Sequence, residues 1–184
     1  MASKPERVWT IGHSTLELDA FLALLHAHAI EVVADVRRFP GSRRHPHFTR
    51  EALQASLSHA GIDYDWIPDL GGRRSPRKDS HNDRWRNASF RGYADYMETP
   101  EFGRALARLL EAAARRRTAM LCAEHAWQQC HRGLISDRLK AQGIEVVHIQ
   151  GRARTQVHPY TEPARLVNGK LSYASDAGQG ALPL

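Results

Sequence analysis

The stretch IEVVADVRRFPGSRR, residues 30–44, decides how this chain folds. Its first seven residues, Ile30 to Val36, form a nearly continuous β-branched run, the composition of a strand buried on both faces. The run then opens onto Arg37 and Arg38, and Pro40-Gly41-Ser42-Arg43-Arg44 follows as a cationic turn. Strands buried on both faces belong to parallel sheets, whose carboxyl ends all emerge at one rim.

Reading outward from this strand finds the same unit repeated. Upstream, Val8 to Ile11 is a short apolar run ending at Gly12, and Leu16, Phe21, Leu24 and Leu25 recur at helical spacing behind Thr15, a candidate cap. Downstream, Thr49 opens an amphipathic helix carrying Leu53 and Leu57, with Gly61 just beyond its end. Ile62 to Ile67 alternates apolar residues with Asp63 and Asp65, a third strand nearer an edge. A polar stretch from Pro68 to about Arg91 is too long for an ordinary connection and marks a functional or disordered loop. Helix resumes near Gly92, and Thr99-Pro100-Glu101 starts another that runs to Arg115. Thr118 to Cys122 is a fourth strand, Cys130 to Gln142 a helix closed by Gly143, and Ile144 to Ile149 a fifth strand. Asn168-Gly169 between apolar residues signals a terminal hairpin.

Five alternations of strand and helix predict an α/β, three-layer fold, with a mainly parallel open sheet of about five strands and helices on both faces. Residues 1–154 are expected to form this single domain. Residues 155–184 are expected to be an extension with the hairpin and a flexible end.

Composition narrows the setting. The chain has 184 residues, 42% hydrophobic and 25% charged, with a formal net charge of +6. Only four of its 26 basic residues are lysines (Lys4, Lys78, Lys140 and Lys170), so the excess is arginine, whose planar fork grips phosphate or carboxylate with two bonds. Two cysteines make no disulfide framework. No apolar run approaches the roughly 20 residues that span a bilayer, and MASKPERVW lacks the core of a signal peptide. A cytoplasmic protein without a membrane partner is the expectation.

Strand ends are where an open α/β sheet binds its ligand. The first strand runs into Gly12-His13-Ser14. The second leads to Asp35, Arg37, Ser42 and Arg43, and the third to Gly71-Gly72-Arg73. The fourth ends at Cys122-Ala123-Glu124, ahead of Cys130-His131-Arg132. Arg91 and Tyr93 follow the long loop. Every unusual cluster falls on one rim.

TIGHS at 10–14, ADVRRFPGSRR at 34–44, DLGGRR at 69–74, FRGYADYM at 90–97, and CAE with CHR at 122–132 resemble the family called domain of unknown function 488. The resemblance spans roughly residues 8 to 151. It implies an α/β fold with a shared rim site and brings no settled reaction.

Residues 37–50 hold five arginines and no acid, and residues 73–91 add seven basic residues against Asp79 and Asp83. Surface ion pairs contribute about 0–1 kcal/mol each, whereas charge-assisted bonds to a bound anion contribute roughly 1.5–3 kcal/mol. An anionic ligand, a nucleotide or nucleic acid, therefore accounts for the density better than internal pairing. Arg37, Arg43 and Arg132 are the expected phosphate contacts, with Ser14, Ser42, Arg73, Arg91, Tyr93 and His131 around them. Glu124, His13 and Asp35 are the candidates for acid/base work.

Cys122 and Cys130 have three readings: buried apolar side chains, a catalytic or redox thiol at a helix start, or a metal site with His131 or His13. Their spacing differs from the Cys-x-x-Cys pair of ordinary zinc sites, so no metal or cofactor is assigned. P-loop, dinucleotide-binding, serine-hydrolase and His-Glu-x-x-His motifs are missing from the sequence. Three functions remain: a hydrolase or group transferase acting on a phosphate-bearing substrate, a non-catalytic nucleic-acid-binding module, or a metal- or thiol-dependent redox protein.

Overall fold

A computed structural model describes residues 4–175. Five parallel strands, β1 (Arg7–Gly12), β2 (Val32–Asp35), β3 (Asp63–Trp66), β4 (Thr118–Cys122) and β5 (Glu145–Ile149), form one sheet in the order β3-β2-β4-β1-β5. A short strand, β6 (Thr155–Val157), pairs antiparallel with β5 as an additional edge. Strands β7 (Arg165–Val167) and β8 (Lys170–Ser172) make the expected hairpin, with Asn168 and Gly169 both at positive φ in its turn. The last residues of the expected C-terminal extension, 176–184, lie outside the described residues.

The sheet separates two apolar layers. Helices α1 (Leu18–Ala27) and α2 (Arg50–His59) bury Phe21, Leu25, Leu53 and Leu57 against Trp9, Ile11, Val33 and Leu121 on one face. On the other face α3 (Ala88–Tyr96), α4 (Pro100–Arg115) and α5 (Arg132–Ala141) cover Val8, Ala34, Val36 and Met120. Alternate residues of each central strand therefore face different layers, which is why those strands read as continuous apolar runs.

Local chemistry sets the helix ends. Thr99 caps α4, its hydroxyl accepting from the Phe102 amide, and Pro100 takes the first helical position. Asn87 caps α3 through the Ser89 and Phe90 amides. Three starts differ from the sequence expectation, the first being α3, which begins at Ala88 rather than near Gly92. The residue capping α1 is Glu17 rather than Thr15. Helix α5 begins at Arg132, because Cys130 is extended (φ −133°, ψ 147°) and His131 is its N-cap.

Connections out of β1 and β4 leave in opposite directions across the sheet, through α1 on one face and α5 on the other. That divergence is where open α/β sheets place a ligand. Here the cleft between the two strands is zipped by backbone: the His13 amide donates to the Cys122 carbonyl (3.0 Å) and the Ser14 amide to that of Ala123 (2.8 Å). A Cβ on Gly12 would collide with the Glu124 carbonyl, so only glycine permits this approach. The open space lies one strand over, above β2 and β4 on the α3/α5 face.

Candidate functional site

A cavity of about 230 Å³ opens there, bounded by Arg37, Arg38 and Phe39 after β2, Gly72 and Arg73 from the long loop, and Phe90 and Tyr93 of α3. Cys122, Glu124, Cys130 and His131 complete its floor and wall. Phe90 also borders a larger cavity of about 800 Å³, lined by Arg84, Arg86, Trp127 and Tyr160.

His131 organises the floor. Its Nε2–H donates to the Val36 carbonyl at 3.0 Å, and a carbonyl can only accept. In the neutral ring the Nδ1 lone pair then faces both sulfurs, at 3.7 Å from Cys130 Sγ and 4.0 Å from Cys122 Sγ. Gly72 leaves room beside this nitrogen, since a Cβ there would lie 3.0 Å from Nδ1.

Arg132 turns inward and does not line the cavity. At 1% exposure it is the largest fully buried side chain described. Its Nη2 donates to the carbonyls of Glu124 (2.5 Å) and His125 (3.3 Å), and its Nη1 to Thr10 Oγ1 (3.2 Å). Among the described residues no carboxylate pairs with it. The one ionisable acceptor it touches is Cys130 Sγ, which receives both Nε–H (3.4 Å) and the Arg132 backbone N–H (3.5 Å). A buried guanidinium needs a compensating charge, and a thiolate supplies one. Burial opposes the anion, yet the Cys122 thiol and Arg132, joined by His131 when its ring is protonated, hold Cys130 well below the usual thiol range. Its hydrogen bond with Cys130, and then burial, push Cys122 well up.

Behind Arg132 a buried polar chain continues from Thr10 to His148 Nδ1 (2.7 Å), His158 (2.9 Å) and Asp137 (2.9 Å). Asp137 also accepts from Thr161 (2.5 Å) and Tyr173 (2.8 Å). Burial, then His158, lowers His148 to about 2. Of this chain only Arg132 lies at a position marked by the strand-end reading; His148 is inside β5, Asp137 sits mid-helix and His158 lies beyond the last parallel strand, where pattern carries no signal.

A second cluster ends β2. Arg37 Nε and Nη2 grip Asp35 at 2.8 and 2.6 Å, and Nη1 donates to the Phe48 carbonyl (2.8 Å) and to His13 Nε2 (3.3 Å). Asp35 additionally accepts from the Arg37 amide (3.1 Å) and the Tyr64 hydroxyl (2.6 Å). The carboxylate is saturated and the guanidinium nearly so. Burial pushes the Tyr64 hydroxyl up, aided by Asp35. His13 donates from Nδ1 to the Ser14 carbonyl (2.9 Å) and stacks on Phe48, and burial lowers it to about 4.

The remaining expected residues divide. Arg73, exposed and at φ +60°, and Tyr93, whose hydroxyl donates to the Leu70 carbonyl (2.6 Å), line the cavity. Ser42 accepts from the His45 amide (3.0 Å), and Arg91 donates to the Trp85 carbonyl (3.0 Å); both serve turns. Arg43 is exposed on the rim outside the cavity. Among the lining residues with no site role assigned from the sequence are Arg38, Phe39, Gly72 and Phe90. The DLGGRR pair of glycines was the available signal for Gly72.

Cys122, Cys130 and His131 also form the one group of three metal-competent side chains among the described residues, their donor atoms all within 4.8 Å of one another. His13 stands outside it.

Fold and rim together define an open, mainly parallel α/β protein with a cysteine–histidine centre at the carboxyl edge of its sheet. The chain belongs to the family described as Domain of unknown function DUF488, which it matches over residues 17–139. No curated protein and no solved structure matches it.

Proposed function

We propose that the protein is a cytoplasmic enzyme that acts on a phosphate-bearing substrate, a nucleotide or nucleic-acid phosphate, by hydrolysis or group transfer. One observation carries this reading: Arg38, Arg73, a carboxylate and a polarised sulfur–imidazole pair line a single cavity. Arg73 and Arg38 hold the anion at the mouth. The Glu124 carboxylate has no hydrogen-bonding partner among the described residues and is the acid/base, taking a proton from the attacking water or acceptor hydroxyl and returning it to the leaving oxygen. The 230 Å³ cavity admits the phosphate, and the neighbouring space beyond Phe90 takes the remainder of the substrate. Arg37 and Arg132 act as positioning residues, since their donors are committed inside the protein.

A second reading, a non-catalytic nucleic-acid-binding module, is favoured by Phe39, 66% exposed beneath the Arg38 guanidinium, with exposed Arg43 and Arg44 nearby. Substituting Glu124→Gln separates the two. Turnover of nucleoside 5′-phosphate p-nitrophenyl esters and short oligonucleotides is measured beside binding by fluorescence anisotropy. The enzyme reading expects kcat to fall about 10²–10⁴-fold with binding retained. Binding without turnover in the unsubstituted chain overturns it, and a binding module then shows a log–log salt slope near −0.9 per phosphate contact on duplex DNA.

A further inference from the structure

We infer that Cys122, Cys130 and His131 form a three-ligand site for a zinc-class divalent cation, with its fourth position open to the cavity. Around a tetrahedral zinc, with Zn–S of about 2.3 Å and Zn–N of about 2.0 Å, sulfur and nitrogen stand about 3.6 Å apart. His131 Nδ1 lies 3.7 and 4.0 Å from the two sulfurs, and the three donor atoms fit within 4.8 Å. The nitrogen already stands near ligand spacing from both sulfurs, and the three atoms are close enough to share one ion.

The surroundings agree with a cation on independent grounds. Metal-binding histidines typically fix the ring by donating the other N–H to a carbonyl, and His131 gives Nε2–H to Val36 at 3.0 Å. Cys130 Sγ accepts two N–H groups from Arg132, at 3.4 and 3.5 Å, an arrangement that favours the thiolate form a metal requires. Thiolate and imidazole donors suit zinc rather than magnesium or calcium. Two protein thiolates would cancel a dication, and Arg132 would leave the centre with one net positive charge, the sign that draws an anionic substrate.

Sequence analysis raised this ligand set without assigning it, because the nine-residue span Cys122–Cys130 is unlike ordinary zinc spacing and closes only in three dimensions. Helix α5 starts after Cys130, so the extended Cys130 returns its sulfur beside Cys122 at the end of β4. Structural zinc sites close the sphere with four protein ligands, whereas three ligands beside a cavity leave a position for chemistry. The site stands whether or not the chain turns over a substrate.

The test uses the full chain, stripped with a chelator under a thiol reductant and titrated with Co²⁺. The chain contains only two cysteines, so a thiolate-to-cobalt charge-transfer band can arise only from Cys122 and Cys130. We expect one Co²⁺ per chain, visible bands of tetrahedral cobalt, and displacement by Zn²⁺. Cys122→Ser, Cys130→Ser and His131→Ala should each weaken binding about a hundredfold or more. Zn²⁺ should also protect both cysteines of the unsubstituted chain from alkylation, read by mass spectrometry, which keeps the test decisive where a variant does not fold. A missing charge-transfer band, unprotected thiols, or full affinity in a folded Cys130→Ser chain overturns the site. None of these readouts depends on turnover, so the Glu124→Gln experiment tests the enzyme separately.

Discussion

Strands β2 and β4 are neighbours, and each ends in a compact polar cluster, but the two clusters are built on opposite plans. After β2, Asp35 and Arg37 satisfy one another: a carboxylate with four donors meets a guanidinium that also donates to Phe48 and His13. After β4, the donors converge on a sulfur, and among the described residues no backbone N–H donates to the His131 lone pair. Saturation makes the first cluster architecture. Reserved valence makes the second available for chemistry, and only the second faces a cavity with most of its reactive atoms. Two chemically rich strand ends thus look alike by composition and differ in what their lone pairs have left to do.

The strongest challenge to this contrast is Asp35→Ala. It strands a buried guanidinium and should cost about 3–5 kcal/mol, read by urea unfolding. A loss below about 1 kcal/mol would mean that the β2 cluster is not holding the fold together. The next effect is one of pH. His13 is buried with its pKa lowered from 6.5 to about 4. Between those values the unfolded chain binds a proton that the native chain refuses, so stability falls as pH falls and is recovered by pH 7. From pH 7 to pH 5 His13 alone should account for about 2 kcal/mol, and His13→Asn should flatten the unfolding profile by that amount. A profile unchanged by this substitution removes His13 from the saturated cluster. The smallest stability effect belongs to Arg73→Ala, within about 0.5 kcal/mol because the side chain is exposed. The same substitution should weaken binding of a nucleoside monophosphate about tenfold or more, through loss of a charge-assisted bond.

Much of the fold was legible because its central strands are buried on both faces and helix starts such as Thr99-Pro100 carry cap chemistry. The elements that escaped were those with weak local signals. Strand β6 is three residues, Thr155-Gln156-Val157, paired with β5 by tertiary context alone. Thr15 has the composition of a cap but lies two residues before the actual N-cap. Composition at the rim identified Cys122, Glu124, Cys130 and His131 as residues worth watching, and they meet in one cavity. It gave no account of side-chain direction. Arg37 and Arg132 look from the sequence like anion ligands, yet one is consumed by Asp35 two positions away and the other is drawn inward by carbonyls at 124 and 125. Arg38, one residue further along than Arg37, is the side chain that reaches the mouth.

The two outer strands of the sheet carry a consequence for self-association. Strand β3 presents Asp63 and Asp65, which pair with Arg116 and Arg108, and β6 offers only three residues. A foreign strand docking laterally would have to strip ion pairs from one border or settle for a very short ladder at the other. Edge-to-edge stacking into fibrous aggregates is thereby discouraged at both margins of a sheet whose interior strands are strongly adhesive.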